Sequence, residues 1–248
     1  MSEQMDIPGT ALSLIEWIRI HVAEADAKGV VYGLSGGLDS AVVGALCQRA
    51  FPETSLAVTM PCHSLNQDME DARLIADALG LQTKVVVLDQ VYDMLRELLE
   101  PNCENISSEK MRLTLANIKP RLRMIVLYYY ASIYNYLVVG CSNKSEIAVG
   151  YFTKHGDGGS DMLPLGNLVK SQVREMAYYL KVPEKIITKP PSAGLWENQT
   201  DEEEMGFSYE MLDRYLLGGD VPDDIRGKIE GMRKRSEHKR RTPPIPDF

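Results

Sequence analysis

The chain has 248 residues, of which 44% are hydrophobic and 25% charged, with 19 Gly and 13 Pro. Size and composition fit one globular α/β domain, alone or with a small appendage, with enough apolar material for a sizeable core. A net charge of −8 argues against a general nucleic-acid binder, although a local Lys/Arg cluster can still set the field in a cleft for a small anionic substrate.

From the start, Met1-Ser2-Glu3-Gln4 lacks the basic region and apolar run of a secretory signal. Thr10 to Ala27 places Leu12, Ile15, Ile18 and Val22 at helical spacing, and the apolar run Val30 to Leu34 then stops at a glycine-rich turn. A helical pattern covers Asp39 to Ala50, a strand Ser55 to Met60, and a helix Asn66 to Leu79 with Asn66 at its cap. Val85-Val86-Val87-Leu88 is continuous and β-branched, as expected of a strand covered on both faces. This alternation predicts an open, mostly parallel sheet with helices on both sides.

Ser107 to Tyr130 reads as helix, with Pro120 expected to end or kink it. Tyr136 to Gly140 reads as a buried strand. The apolar stretch Met124 to Val139 is broken by Ser132 and Asn135, so it predicts a buried helix and strand rather than a membrane span. Gly150 to Gly166 is rich in glycine with few apolar anchors and reads as a loop. Lys170 to Leu180 is helical, Pro190-Pro191 opens an irregular stretch, and Thr200-Asp201-Glu202-Glu203 fits a capping box. Cys47, Cys62, Cys103 and Cys141 are widely spaced, which predicts neither a disulfide framework nor a zinc site and fits a reducing cytoplasm.

The strand–turn–helix at Val30 to Ala50 carries the first chemistry. In an open parallel sheet, ligands sit beyond the carboxyl ends of the strands, where a helix N-terminus offers unpaired N–H groups to phosphate. Gly36 and Gly37 allow close approach, and Ser35 and Ser40 can donate hydroxyl hydrogen bonds. A carboxylate at Asp39 repels phosphate unless a cation lies between them, so Asp39 is a candidate Mg²⁺ ligand. The competing reading is a tight turn with Asp39 as a capping residue. The turn is neither a Walker A loop nor GxGxxG.

Ser35-Gly36-Gly37-Leu38-Asp39-Ser40 after an apolar strand resembles the pyrophosphate-binding loop of the adenine-nucleotide α-hydrolase group, whose members adenylate an acceptor and release pyrophosphate. Further segments narrow the resemblance. Gly140 to Glu146, Gly150 to Asp161, Leu163-Pro164-Leu165, Lys170, Asn117 to Met124, Pro191 to Trp196 and His238 to Arg241 follow in the order found in NAD synthetases, over most of the chain. The resemblance implies ATP contacts from Gly33, Leu34, Ser35, Gly36, Gly37, Leu38, Asp39, Ser40, Cys141, Lys170 and Ser192. It implies deamido-NAD contacts from Arg121, Lys154, Asp161, His238 and Lys239, and a homodimer with the dinucleotide site near the subunit boundary. Asp39 and Glu146, each at a strand end, could hold one Mg²⁺ between them.

Each assignment has a plainer rival. Glu146 could be a surface carboxylate balanced by Lys144. Lys170 at a helix start is unfavourable to the dipole, which a phosphate contact would explain, although exposed lysines occur there too. Asp157 is the candidate to orient or deprotonate ammonia, or else part of an Asp-Gly turn. Arg233 to Arg241 could be a solvated helix end, and Arg123 is read as structural or at a subunit boundary. Tyr128, Tyr129 and Tyr130 are read as core or interface packing. Cys141 stands where many relatives have Thr, and Asn198 where Gly is frequent.

The expected reaction is amidation of deamido-NAD⁺ by free ammonia with ATP, through an adenylated intermediate. The expected unit is a single domain over residues 1–248 without a glutaminase domain, because only about one helix precedes the turn. The rivals are another adenylating amidotransferase subunit, such as GMP synthetase, and a nucleotide-binding protein without turnover.

Overall fold

The computed structural model describes residues 5–99, 106–192, 194 and 200–246. Its strands are β1 (Gly29–Gly33), β2 (Ser55–Thr59), β3 (Gln82–Val85) and β4 (Tyr136–Val139), all parallel, in the order β3-β2-β1-β4. The helices of the sheet region are α1 (Ile7–Glu24), α2 (Leu38–Ala50), α3 (Asn66–Leu79), α4 (Asp89–Leu99), α5 (Ser108–Ala116) and α6 (Ile118–Tyr134). After β4 come α7 (Lys144–Val149), α8 (Lys170–Tyr179), α9 (Glu184–Ile187), α10 (Asp201–Met205), α11 (Tyr209–Leu216), α12 (Asp223–Arg235) and α13 (Glu237–Arg240).

Alternation along each strand sorts side chains between two cores, because successive residues point to opposite faces. Val30 and Tyr32 of β1 and Ala57 of β2 join α1, α2, α3 and α8 on one face, while Val31, Leu56, Val58 and Val138 join α4 and α6 on the other. Both faces of the parallel sheet are therefore covered, as the sequence predicts. A third, smaller cluster links α7, α11 and α12 through Val149, Leu212 and Ile229. Among the described residues, no helix is long and apolar enough to cross a membrane.

The structure corrects several expectations. The buried stripe of α1 is Ala11, Ile15, Ile18 and Val22, with Leu12 turned outward at 65% exposure. The third strand is Gln82–Val85, earlier than the Val85–Leu88 run, and it is exposed along its length. It forms the edge of the sheet, so Val85 and Val87 lack the double cover that their apolar character implied. The helical pattern from Ser107 is divided at Asn117, and Pro120 sits in the first turn of α6, where its missing N–H costs nothing.

Glycine-rich residues 150–166 are not slack. Met162 bridges to Val139, Gly140 N donates to Met162 O at 2.9 Å, and Met162 and Leu165 are buried in the core. Thr200 is the N-cap of α10 but makes no side-chain capping bond; Glu202 instead accepts from Tyr209 N at 2.8 Å. Asn198, Trp196 and Cys103 lie outside the described residues.

Candidate active site

The chain runs from β1 outward to β2 and β3, then returns to place β4 on the other side of β1. The carboxyl ends of β1 and β4 thus flank the point where strand order reverses, the crevice in which open α/β sheets bind ligands. Two chain segments leave that crevice, Leu34 to Gly37 into α2 and Gly140 to Asn143 into α7.

The first segment is the Ser-Gly-Gly turn. Gly33 closes β1, and Leu34 and Leu38 are buried in the core, so those three offer a ligand mainly backbone atoms. Ser40 Oγ accepts from Ser35 N at 3.3 Å, lies 3.1 Å from Ser35 Oγ, and donates to Gly37 O at 3.0 Å. The turn is thereby held in shape before any ligand arrives. Gly36 has φ +83°, and a Cβ there would lie 2.6 Å from Asp68 O of α3. Gly37 has φ −97°, and a Cβ would meet nothing nearer than Ser35 Oγ at 3.4 Å. Gly36 is therefore demanded by the fold, whereas Gly37 leaves open the space a methyl would fill.

At the first turn of α2, Asp39 meets residues from two other helices. Lys170 Nζ lies 2.5 Å from Asp39 Oδ2 and 3.4 Å from Glu146 Oε1, and Asn143 Nδ2 donates to Asp39 Oδ1 at 2.9 Å. Asn143 also caps α7, accepting from Glu146 N at 3.0 Å while Glu146 Oε2 accepts from Asn143 N at 3.2 Å. This reciprocal box orients Glu146. The Lys170 ammonium is nearly sealed from solvent at 5% side-chain exposure. A lysine opening a helix is explained by Asp213 of α11, whose oxygens accept from Lys170 N at 3.3 Å, Ser171 N at 2.7 Å and Ser145 Oγ at 2.6 Å. Asp213 satisfies the helix N-terminus, which leaves the Lys170 side chain to Asp39 and Glu146. The Tyr209 ring, with its hydroxyl on Asp201 Oδ2 at 3.0 Å, lies 5.0 Å from the ammonium.

One buried cation faces two partly buried carboxylates. Burial, reinforced by Asp39, pushes the Glu146 pKa up to about 8, against the pull of Lys170 and the Asn143 amide. Burial works to lower the Lys170 pKa, but Asp39 and Glu146 together raise it, so the ammonium stays charged. Cys141 Sγ lies 3.8 Å from Gly33 O, and burial raises its pKa, so it serves here as a neutral thiol joining the ends of β4 and β1.

A second group lies along the glycine-rich segment and α13. Lys154 Nζ donates to His238 O at 2.8 Å, and Lys239 Nζ donates to Gly150 O at 2.8 Å and Phe152 O at 2.7 Å. Asp157 Oδ1 accepts from Thr153 N at 2.9 Å. Its side chain opens to solvent yet is closely surrounded by protein; that crowding raises its pKa against the Thr153 amide, Lys239 and Arg123. The field of Asp157 also reaches Cys141, and that of Arg121 reaches Lys239.

Arg121, Asp161 and Ser192 are each engaged by the protein itself. Arg121 is exposed and donates to Asn117 O at 3.3 Å. Both oxygens of Asp161 are engaged at the β4 edge, by Tyr128 OH at 3.0 Å and Val138 N at 2.7 Å. Ser192 Oγ is engaged by Gly194 N at 3.1 Å. Arg123, read as structural, donates to Met60 O at 3.1 Å. Sequence reasoning missed Asn143, Ser145, Asp213 and Tyr209; only Asn143, three residues before Glu146, carried a legible capping signal.

A parallel sheet with a Ser-Gly-Gly turn at its switch point, beside an Asp–Lys–Glu cluster with a buried lysine, defines an α/β protein of the adenine-nucleotide α-hydrolase class. Over residues 11–243 the chain matches the family model for NAD synthase, and it belongs to that family. The NH(3)-dependent NAD(+) synthetase of Carboxydothermus hydrogenoformans is 53% identical over 233 residues, covering 94% of this chain and 95% of the relative. The structure of NMN synthetase from Francisella tularensis is similar with a TM-score of 0.92 at 36% identity, covering 99% of this chain and 100% of that one. NH3-dependent NAD synthetase from Campylobacter jejuni is similar with a TM-score of 0.79 at 32% identity, covering 98% and 100% respectively.

The two glycines are expected to respond differently. Gly36→Ala should lose about 1–3 kcal/mol of stability in urea denaturation, from the left-handed backbone and the collision with α3. Gly37→Ala should remain within about 0.5 kcal/mol of wild type while weakening ATP binding by calorimetry. A Gly37→Ala protein that binds ATP normally would show that the turn does not receive the nucleotide.

The raised Glu146 pKa has a sign that can be checked in EDTA. Between the ordinary value of 4.5 and about 8, the unfolded chain has lost the Glu146 proton while the folded protein retains it, so stability falls as pH rises through this window. Wild type should lose on the order of 1–3 kcal/mol more than Glu146→Gln between pH 5 and 8. Equal pH dependence in the two proteins would count against the buried, proton-retaining carboxyl.

Proposed function

We propose that this protein makes NAD⁺ from deamido-NAD⁺, ATP and ammonia. The observation that carries the reading is the convergence of Asp39 and Glu146 on Lys170 beside the Ser-Gly-Gly turn. The 53% identical relative, named for ammonia-dependent NAD⁺ synthesis, supports it.

In this reading the nicotinate carboxylate attacks the α-phosphorus of ATP, the bond to the pyrophosphate oxygen breaks, and an acyl-adenylate forms. Ammonia then attacks the acyl carbon, AMP leaves, and Asp157 accepts the proton that nitrogen sheds. Ser35 to Ser40 receive the leaving pyrophosphate at the α2 N-terminus, and Lys170 adds positive charge where negative charge grows. Two adjacent carboxylates with one ammonium between them fit Mg²⁺, which takes one or two carboxylates alongside phosphate oxygens. Asp39 and Glu146 would hold that ion, which neutralises charge on the pyrophosphate when bound. Arg121, Lys154, Asp161, His238 and Lys239 are assigned to the dinucleotide, and Cys141 and Ser192 to ATP. The unit is read as one catalytic domain using free ammonia in a reducing cytoplasm.

The likeness to NMN synthetase favours a second reading, in which nicotinate mononucleotide is the acceptor. A cavity of about 1050 Å³ is lined by Lys154, Lys234, Arg235, His238 and the Arg240 and Arg241 that pair with Glu237; its net positive lining exceeds what one phosphate needs and supports the dinucleotide. Pyrophosphate release with ATP, Mg²⁺ and ammonium, comparing deamido-NAD⁺, nicotinate mononucleotide and xanthosine monophosphate, separates the readings. Release should be fastest with deamido-NAD⁺. Preference for the mononucleotide selects the second reading, and release with xanthosine monophosphate alone, or none, would overturn both.

The protein is also proposed to work as a homodimer. Met94 and Leu98 of α4, and Ile125, Tyr129 and Ile133 of α6, are each more than half exposed on helices that pack together. Ile125, Tyr129 and Ile133 recur every four residues and form one apolar stripe, the kind of surface that a second copy would cover. Light scattering at micromolar concentration should give a dimer, and Tyr129→Asp should shift it toward monomer. A fully active wild-type monomer would contradict this assembly.

A further inference from the structure

Away from the Lys170 cluster, a second buried ion-pair network lies against the other side of the Ser-Gly-Gly turn. Asp71 of α3 has only 1% of its side chain exposed, and it receives Lys189 Nζ at 2.8 Å, Lys185 Nζ at 2.7 Å and Gln67 Nε2 at 2.9 Å. Lys189 Nζ also lies 2.9 Å from Asp68 Oδ1. A buried carboxylate needing this many donors is a poor route to stability, since apolar packing serves as well. Its location is more informative. Asp68 O, Asp71 Cβ and Ala72 N are the atoms that a Cβ on Gly36 would meet, at 2.6, 3.1 and 3.2 Å. One short stretch of α3 therefore backs the turn at Gly36 and anchors Lys189.

The chain beyond Lys189 is stiff. Pro190 and Pro191 follow directly, fixing two φ angles and favouring extended backbone, and Ser192 comes next. Asp201 N donates to Pro191 O at 3.3 Å, which ties the start of α10 to the same spacer. Pro191 and Ser192 thus follow within three residues of the ammonium that grips α3.

We propose that Lys189 is a positioning residue for ATP: by bridging Asp68 and Asp71 it registers the Pro190–Ser192 segment against the Ser-Gly-Gly turn. This rests on the assignment of that turn to ATP. Lys185 shares Asp71 but is 56% exposed and precedes the prolines, so it holds nothing across the site.

The test is steady-state kinetics with deamido-NAD⁺, ammonium and varied MgATP, with ATP affinity measured by calorimetry on the same proteins. Lys189→Ala should raise KM for MgATP and weaken ATP binding about tenfold, with kcat within about twofold of wild type. Lys189→Arg, whose fork can still span two carboxylates, should recover most of the loss, and Lys185→Ala should match wild type. If Lys189→Ala does not fold, Asp68→Asn, which weakens one of the two contacts, should show the same split to a smaller degree.

Unchanged ATP affinity in Lys189→Ala overturns the proposal. So does a fall in kcat with KM unchanged, which would mark Lys189 as a transition-state contact. A loss shared equally by Lys185→Ala also overturns it, since that points to general support of Asp71. Wild type that binds ATP without releasing pyrophosphate would strike the proposed reaction while leaving the calorimetric test of Lys189 intact.

Discussion

Everything in the crevice is arranged around one ammonium between two carboxylates. Asp39, Glu146 and Lys170 come from the first turns of α2, α7 and α8, so three helix N-termini converge on one spot. Their dipoles favour anionic ligands there, and they help to offset the repulsion between the two carboxylates. Lys170 alone works against the dipole of its own helix, and the fold answers with Asp213, a buried carboxylate from α11 that caps α8 and holds Ser145 of α7. Removing such a cap typically costs about 0.5–2 kcal/mol, because helix amides lose their acceptor. The small C-terminal cluster is thereby an extension of the site: it carries Asp213 and Tyr209 to the place where they hold Lys170.

What the sequence made legible follows from distance along the chain. The turn from Ser35 to Ser40 and the strands before and after it are local patterns, and they are found where expected. Edge effects were less visible. Val85 to Leu88 is as apolar as a central strand, yet nothing in its composition says that β3 lies at the sheet margin. The stripe of α1 includes Ala11 in place of Leu12, a choice that periodicity alone does not make.

Partners far apart in sequence were invisible. Asp213 is 43 residues from the amide it caps, and Asp71 is 118 residues from Lys189. Both are ordinary acidic residues on amphipathic helices until the fold brings a donor to them. The resemblance named Lys170 and Glu146 but could not say why a buried lysine is tolerable at a helix start; the capping geometry supplies that reason.

The second group of residues shows how the same economy of charge extends to the acceptor. Lys154 and Lys239 each reach across to backbone carbonyls of the opposite segment, so residues 150–154 and α13 brace one another through their own cations. An ammonium has three donors: the contacts above use one on Lys154 and two on Lys239, which leaves both able to meet an anionic acceptor without abandoning the brace. Asp157, whose charge acts on both Lys239 and Cys141, is the residue proposed to serve the acyl carbon. In the proposed reaction a proton acceptor is needed only after adenylation, at the amine nitrogen. A carboxylate open to solvent suits that later step in the proposed reaction better than Asp39 or Glu146, which are both paired with Lys170.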